Sequence, residues 1–66
     1  MNLVEIGSRI KRSRKTKHLT QESLAEKINV SPHYIYEIER GSKMMSLGVL
    51  MKISQALCVS TDFLLF

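Results

Sequence analysis

His33, Glu37 and Arg40 are spaced by four and then three residues in the stretch PHYIYEIERG at 32–41. In a helix that spacing stacks all three on one face. A neutral imidazole donates or accepts a hydrogen bond, an ionised carboxylate only accepts, and a guanidinium only donates. Tyr34 and Tyr36 fall on the two flanks of this face. Ile35 and Ile38 point the other way, and Glu39, four residues after Ile35, shares their side. The chemistry on offer is recognition by hydrogen bonds of both polarities. Catalysis has no comparable candidate: there is no Ser/His/Asp set, no paired acids in a cleft and no glycine-rich phosphate loop. His18 and His33 are the only histidines and Cys58 the only cysteine. A four-ligand zinc site and an internal disulfide are therefore not expected. The expectation is a protein that is not an enzyme, with no catalytic residue, metal or cofactor.

The elements that must hold this face follow from pattern and punctuation. A first helix is expected over Leu3–Thr16, capped by Asn2, with Leu3, Ile6 and Ile10 at helical spacing. Lys11, Arg12 and Lys15 point away from that stripe and read as a solvated face. Arg14 lies four residues after Ile10, close to the stripe, and an unpaired buried charge is costly. Glu39, inward on its own helix, is the available partner; the other reading leaves both in solvent at the core margin. Thr20 caps a second helix, in which Leu24, Ala25 and Ile28 form a narrow stripe. Asn29 tolerates the left-handed conformation of a sharp helix end. Ser31 caps a third helix with Pro32 in its first position, and Gly41 ends it. A fourth helix starts at Ser46 and carries Leu47, Leu50, Ile53, Ser54 and Leu57. Val59-Ser60 leads into a last short helix over 61–65, where Phe63 and Leu64 are expected to cover the core. The fold class is all-α: five short helices in a single domain, 1–66.

The chain has 66 residues, 44% of them hydrophobic, which suits one folded core. A domain of this size buries only about 60% of its unfolded surface, so self-association would add stability. The net charge of +4 favours a polyanionic partner, nucleic acid or an anionic membrane surface. No apolar run approaches the roughly 20 residues of a membrane span. The start MNLVEIGSRIKR places its basic residues after the apolar ones, unlike a signal peptide. The expected setting is reducing and cytoplasmic, with no membrane partner.

Only Asn29-Val30 separates the second and third helical patterns. Such a joint fixes two helices at one angle. Held so, the third helix fits a major groove about 12 Å wide while the second crosses the sugar-phosphate backbone. The unpaired N–H groups at Gln21 and Glu22 form a phosphate seat. Ser42 and Lys43 follow Gly41 and face the neighbouring phosphates.

The segments LTQESLAEKINVS at 19–31, YIYEIERG at 34–41 and SLGVLMKISQALCVSTDFLL at 46–65 resemble the helix-turn-helix family of the lambda and Cro repressors. That family includes small prokaryotic XRE-type regulators and restriction–modification controller proteins. The resemblance implies a compact five-helix lambda repressor-like DNA-binding domain, its helix-turn-helix core at about 20–41, dimeric on a near-palindromic operator. It implies that Gln21 binds phosphate, that the outward positions matching His33 and Glu37 read bases, and that Arg14 and Glu39 form an internal ion pair. The chain departs from the pattern at His18, Asn29 and Cys58, where glycine or another turn-forming residue is common. It departs also at Met44-Met45, in place of a polar or proline-containing loop.

The resulting expectation is a sequence-specific, double-stranded-DNA-binding transcriptional regulator, a repressor or controller. His33, Tyr36 and Glu37 would read bases. For Tyr36, groove contact and flank packing both remain open. Glu37 would accept from a cytosine amino group or act as a filter that repels phosphate. Gln21, Tyr34, Arg40, Ser42 and Lys43 would hold phosphates. Met51, Leu65 and Phe66 would contribute to a homodimer contact, since a terminal Phe66 is hard to bury in a small monomer. The alternative function is a protein-interaction module, such as an antitoxin or an anti-repressor target, using the same fold with a protein partner.

Overall fold

Each helix begins at a side-chain oxygen that accepts from a first-turn N–H. Asn2 accepts from Val4 and Glu5, Thr20 from Ser23, Ser31 from Tyr34, Ser46 from Val49 and Ser60 from Phe63. Such caps satisfy donors that a helix end otherwise leaves orphaned. The computed structural model describes residues 2–66, and among these the order is α1 (Leu3–Thr16), α2 (Gln21–Ile28), α3 (Pro32–Arg40), α4 (Leu47–Leu57) and α5 (Thr61–Leu65). No strand occurs among the described residues. The first four helices stop where the backbone turns left-handed: His18 at φ 59°, Asn29 at 60°, Gly41 at 81° and Cys58 at 57°. Three of these four are not glycine, so each holds a conformation that disfavours a Cβ.

All five helices feed one core. Ile6 and Ile10 of α1 meet Leu24, Ala25 and Ile28 of α2, Ile35 and Ile38 of α3, Leu50, Ile53 and Leu57 of α4, and Leu64 of α5. Two side chains fall elsewhere than the pattern suggests. Phe63 is exposed while its neighbour Leu64 is buried. The Ser60 cap sets the phase of a helix only five residues long, so little of its face can turn inward. Leu47 is exposed as well, because it sits in the first turn of α4 at the edge of the stripe.

α3 lies against both α1 and α2. Gly7 permits the close crossing of α1: a Cβ there would overlap the carbonyl oxygens of Ile38 and Glu39. Below the crossing, Arg14 and Glu39 form a two-point contact, each residue only 7% exposed. Arg14 Nε donates to Glu39 Oε2 at 2.6 Å and Nη2 donates to Oε1 at 3.0 Å. Arg14 Nη1 donates to the carbonyl of Leu19 at 2.7 Å, which ties in the connection before α2. The Gln21 amide donates to Glu39 Oε1 at 3.1 Å. No fully buried side-chain polar atom is left without a partner among the described residues.

Removing one partner of a buried, hydrogen-bonded pair costs about 3–5 kcal/mol, far more than an exposed pair contributes. We expect Arg14→Met and Glu39→Gln each to lose roughly 3 kcal/mol, the low end of that range, because the pair lies near the surface of a small domain. The double variant should lose much less than the sum. Thermal and denaturant melts of the three variants measure this. Additive losses below about 0.5 kcal/mol would show that the pair contributes nothing.

Candidate nucleic-acid interface

The joint between α2 and α3 is built from backbone bonds and one cap. Asn29 N–H donates to Glu26 O at 3.3 Å and Val30 N–H to Ala25 O at 3.0 Å, which closes α2. Ser31 Oγ then accepts from Tyr34 N–H at 3.1 Å and starts α3. With Ile35, Ile38 and Glu39 buried, the opposite side of α3 is left open.

Tyr36 organises that open side. Its ring stacks with the His33 imidazole, with centroids 6.0 Å apart and planes 26° apart. The Arg40 guanidinium carbon lies 6.0 Å from the same Tyr36 ring. Tyr36 is 44% exposed, so it stands between two outward polar groups and is not folded into the core. Glu37 is half-buried. Its Oε1 lies 3.7 Å from His33 Nε2 and 3.7 Å from Lys43 Nζ. Lys43 Nζ also lies 5.8 Å from the centre of the Tyr34 ring. Tyr34 is half-buried and packs against the core. Ser42 turns back to the end of α3: both its N–H and its hydroxyl donate to the Glu37 carbonyl, at 3.0 and 3.2 Å.

Gln21 opens α2 beside this face, its amide fastened to Glu39. The Thr20 hydroxyl accepts from Ser23 N–H, so the N–H groups of Gln21 and Glu22 precede the capped donor and point out of the helix end. A shallow depression joins the two helices, lined by Lys11, Gln21, Tyr36, Glu39 and Arg40. Lys11 is exposed, as a solvated outer face of α1 requires, and the fold also brings it beside Gln21 and Arg40. Its signal was available in the spacing: it stands three residues before Arg14, on the side of α1 that turns toward Glu39.

The residues expected at a subunit contact lie apart from this face. Leu65 is half-buried in an apolar groove with Leu3, Ile6, Met44, Met45, Leu47 and Leu50. Met45 packs on the core there, which gives one methionine of the Met44-Met45 pair a structural role, while Met44 stays exposed. Phe66 is 79% exposed. Met51 is exposed on α4, outside the lining of that groove.

The Helix-turn-helix family model matches residues 10–64, which include the joint, the open side of α3 and most of the core. An uncharacterised HTH-type transcriptional regulator of Mycobacterium tuberculosis is 42% identical over 58 residues, covering 88% of this chain. The chain spans only 41% of that regulator's length. Among solved structures, the restriction-modification controller protein C.AhdI from Aeromonas hydrophila superposes with a TM-score of 0.89 at 34% identity, covering 94% of each chain. SinR, the master regulator for biofilm formation, solved in complex with DNA, superposes at 0.87 with 42% identity, covering 92% of this chain and 98% of its own. Each superposition covers more than nine-tenths of this chain, and the chain belongs to the helix-turn-helix family.

Proposed function

We propose that this chain is a sequence-specific regulator of transcription that binds duplex DNA, a repressor or controller acting in the cytoplasm. The observation that carries this reading is the open side of α3, where His33, Tyr36, Glu37 and Arg40 present donors and acceptors on a rigid helix. The α2 N-terminus and Lys11 stand beside it. A helix of this kind fits the major groove, where each base pair displays a distinct pattern of donors and acceptors. The likeness to SinR in complex with DNA supports the reading. No helix among the described residues is long and apolar enough to cross a membrane.

His33, Tyr36 and Glu37 then read bases. Phosphates are held by the Gln21 and Glu22 N–H groups, the Gln21 amide hydrogen not given to Glu39, the Tyr34 hydroxyl, Arg40 and Lys43, with Lys11 added from the fold. Ser42, expected among them, gives both its N–H and its hydroxyl hydrogen to the Glu37 carbonyl and would have to turn its hydroxyl away from that bond to hold a phosphate. Phosphate contacts set register and carry no sequence information, whereas base-edge contacts discriminate. A carboxylate at position 37 accepts from the cytosine amino group, and Gln in its place pairs with adenine. Selection of binding sites from random duplexes with the wild type and with Glu37→Gln tests this. The expected result is a switch toward adenine at one base pair per half-site, a discrimination of roughly 1–3 kcal/mol. Affinity raised equally for every sequence would show that Glu37 only repels phosphate. In the same assay Arg40→Ala should weaken all sequences alike and reduce the salt slope by about one unit.

We further propose a twofold homodimer on a near-palindromic operator, formed through Phe66, Leu65 and Met51. The exposure of Phe66 and Met51, with Leu65 lining an apolar groove, supports it. Two copies of α3 would then lie about 34 Å apart, one turn of DNA. The same exposed apolar residues also favour the second reading, a protein partner. Sedimentation with and without selected DNA separates the two. Two protomers per duplex are expected for the wild type, with weaker assembly for Phe66→Ser. One protomer per duplex at saturation would remove the dimer.

A further inference from the structure

Lys43 belongs to the loop after α3, but its ammonium points back at that helix. Gly41 ends α3 at φ 81°, and the two hydrogen bonds from Ser42 to the Glu37 carbonyl turn the chain over the last helical turn. The Lys43 ammonium thereby reaches Glu37 Oε1 at 3.7 Å and faces the Tyr34 ring at 5.8 Å. His33 Nε2 stands 3.7 Å from the same carboxylate oxygen. Oε1 is thus flanked by two nitrogen groups, which leaves Oε2 as the acceptor for an incoming donor. The pair is too exposed to be a stability device, the Lys43 side chain being 54% exposed and that of Glu37 31%. Its consequence lies in what happens when a duplex approaches. A lone carboxylate at the groove meets phosphates of its own sign. An ammonium beside it offsets that charge locally, and the pair strengthens as water is displaced.

We infer that Lys43 is a specificity-determining positioning residue. It holds and neutralises the Glu37 carboxylate at the reading face, so that Glu37 accepts from a base amino group instead of repelling the duplex. This rests on the reading of the chain as a DNA-binding protein. The Tyr34 ring keeps the ammonium on that side by a cation–π contact. Lys43 therefore has two separable effects. Whatever it gives to a phosphate is a factor common to every sequence. What it gives through Glu37 appears only at the base pair that Glu37 reads.

The test is a panel of duplexes that vary only at that base pair, measured at one salt concentration with the wild type, Lys43→Met, Lys43→Arg, Glu37→Gln and the Lys43→Met, Glu37→Gln double variant. Beyond any uniform loss, Lys43→Met should reduce the preference for the cytosine-bearing pair by roughly tenfold, within the range that one base contact supplies. Lys43→Arg should restore most of it. In the Glu37→Gln background, Lys43→Met should change every duplex by one common factor. A common factor in both backgrounds would overturn the inference and leave Lys43 as a phosphate anchor alone. In the free protein, nuclear Overhauser contacts between the Lys43 ε-methylene and the Tyr34 ring should be present and should weaken in Glu37→Gln. Their absence from the wild type would also overturn it. A wild type that selects no duplex at all would overturn the DNA reading and this inference with it, a result distinct from a uniform loss.

Discussion

The contact between Arg14 and Glu39 is the constraint on which the rest of the structure turns. It places two opposite charges in the margin of a small core, where neither is tolerable alone. All three guanidinium nitrogens donate: two to the carboxylate and one to the Leu19 carbonyl. The bond therefore links α1, the connection before α2, and α3 in one step. Glu39 extends the link to the first residue of α2 through the Gln21 amide. Because Glu39 is fixed inward, the residues that flank it in the helical repeat are fixed outward. An inward ion pair thus sets the rotation of α3 about its own axis, and so decides which side chains a partner meets.

The remaining energetics support that rotation. α2, α3 and α5 are each under ten residues, below the roughly 12–15 at which an isolated helix becomes even marginal in water. Side-chain caps define their starts, and left-handed residues end α2 and α3. The buried isoleucines and leucines supply the apolar contact that the short helices lack individually. Gly7 lets α1 approach α3 closely enough for the charged pair to close. Asn29, His18 and Cys58 hold positive φ without being glycine, so the sharp turns are kept by their surroundings as much as by local preference.

Much of this was legible in local pattern. Caps, Pro32, Gly41 and apolar spacing mark all five helices and the short joint, because those signals act over three or four residues. The closeness of Arg14 and Glu39 to apolar stripes could be read as well, since an inward charge calls for a partner. Features that depend on distant segments were less visible. The spacing that points to Lys11 takes on meaning only once α1 is laid beside α2 and α3. Phe63 is outward because a short helix presents little inward face, and a run such as FLLF does not say which residue that is. Gly7 shows no special role until α3 crosses it. The return of Lys43 onto Glu37 depends on the path of the chain after Gly41, which periodicity does not describe.

The open side of α3 unites these levels: a buried bond orients the helix, a short joint seats it beside the α2 N-terminus, and aromatic stacking arranges its polar groups. The most direct measurement of the account is the perturbation of backbone amide resonances when the labelled protein is titrated with a duplex selected from random DNA. The expected result is a set of shifts concentrated at Gln21 and Glu22 and on His33, Tyr36, Glu37 and Arg40, diminishing as salt is raised. Shifts centred on Met44, Leu47 and Leu65, with the outward residues of α3 unmoved, would contradict it.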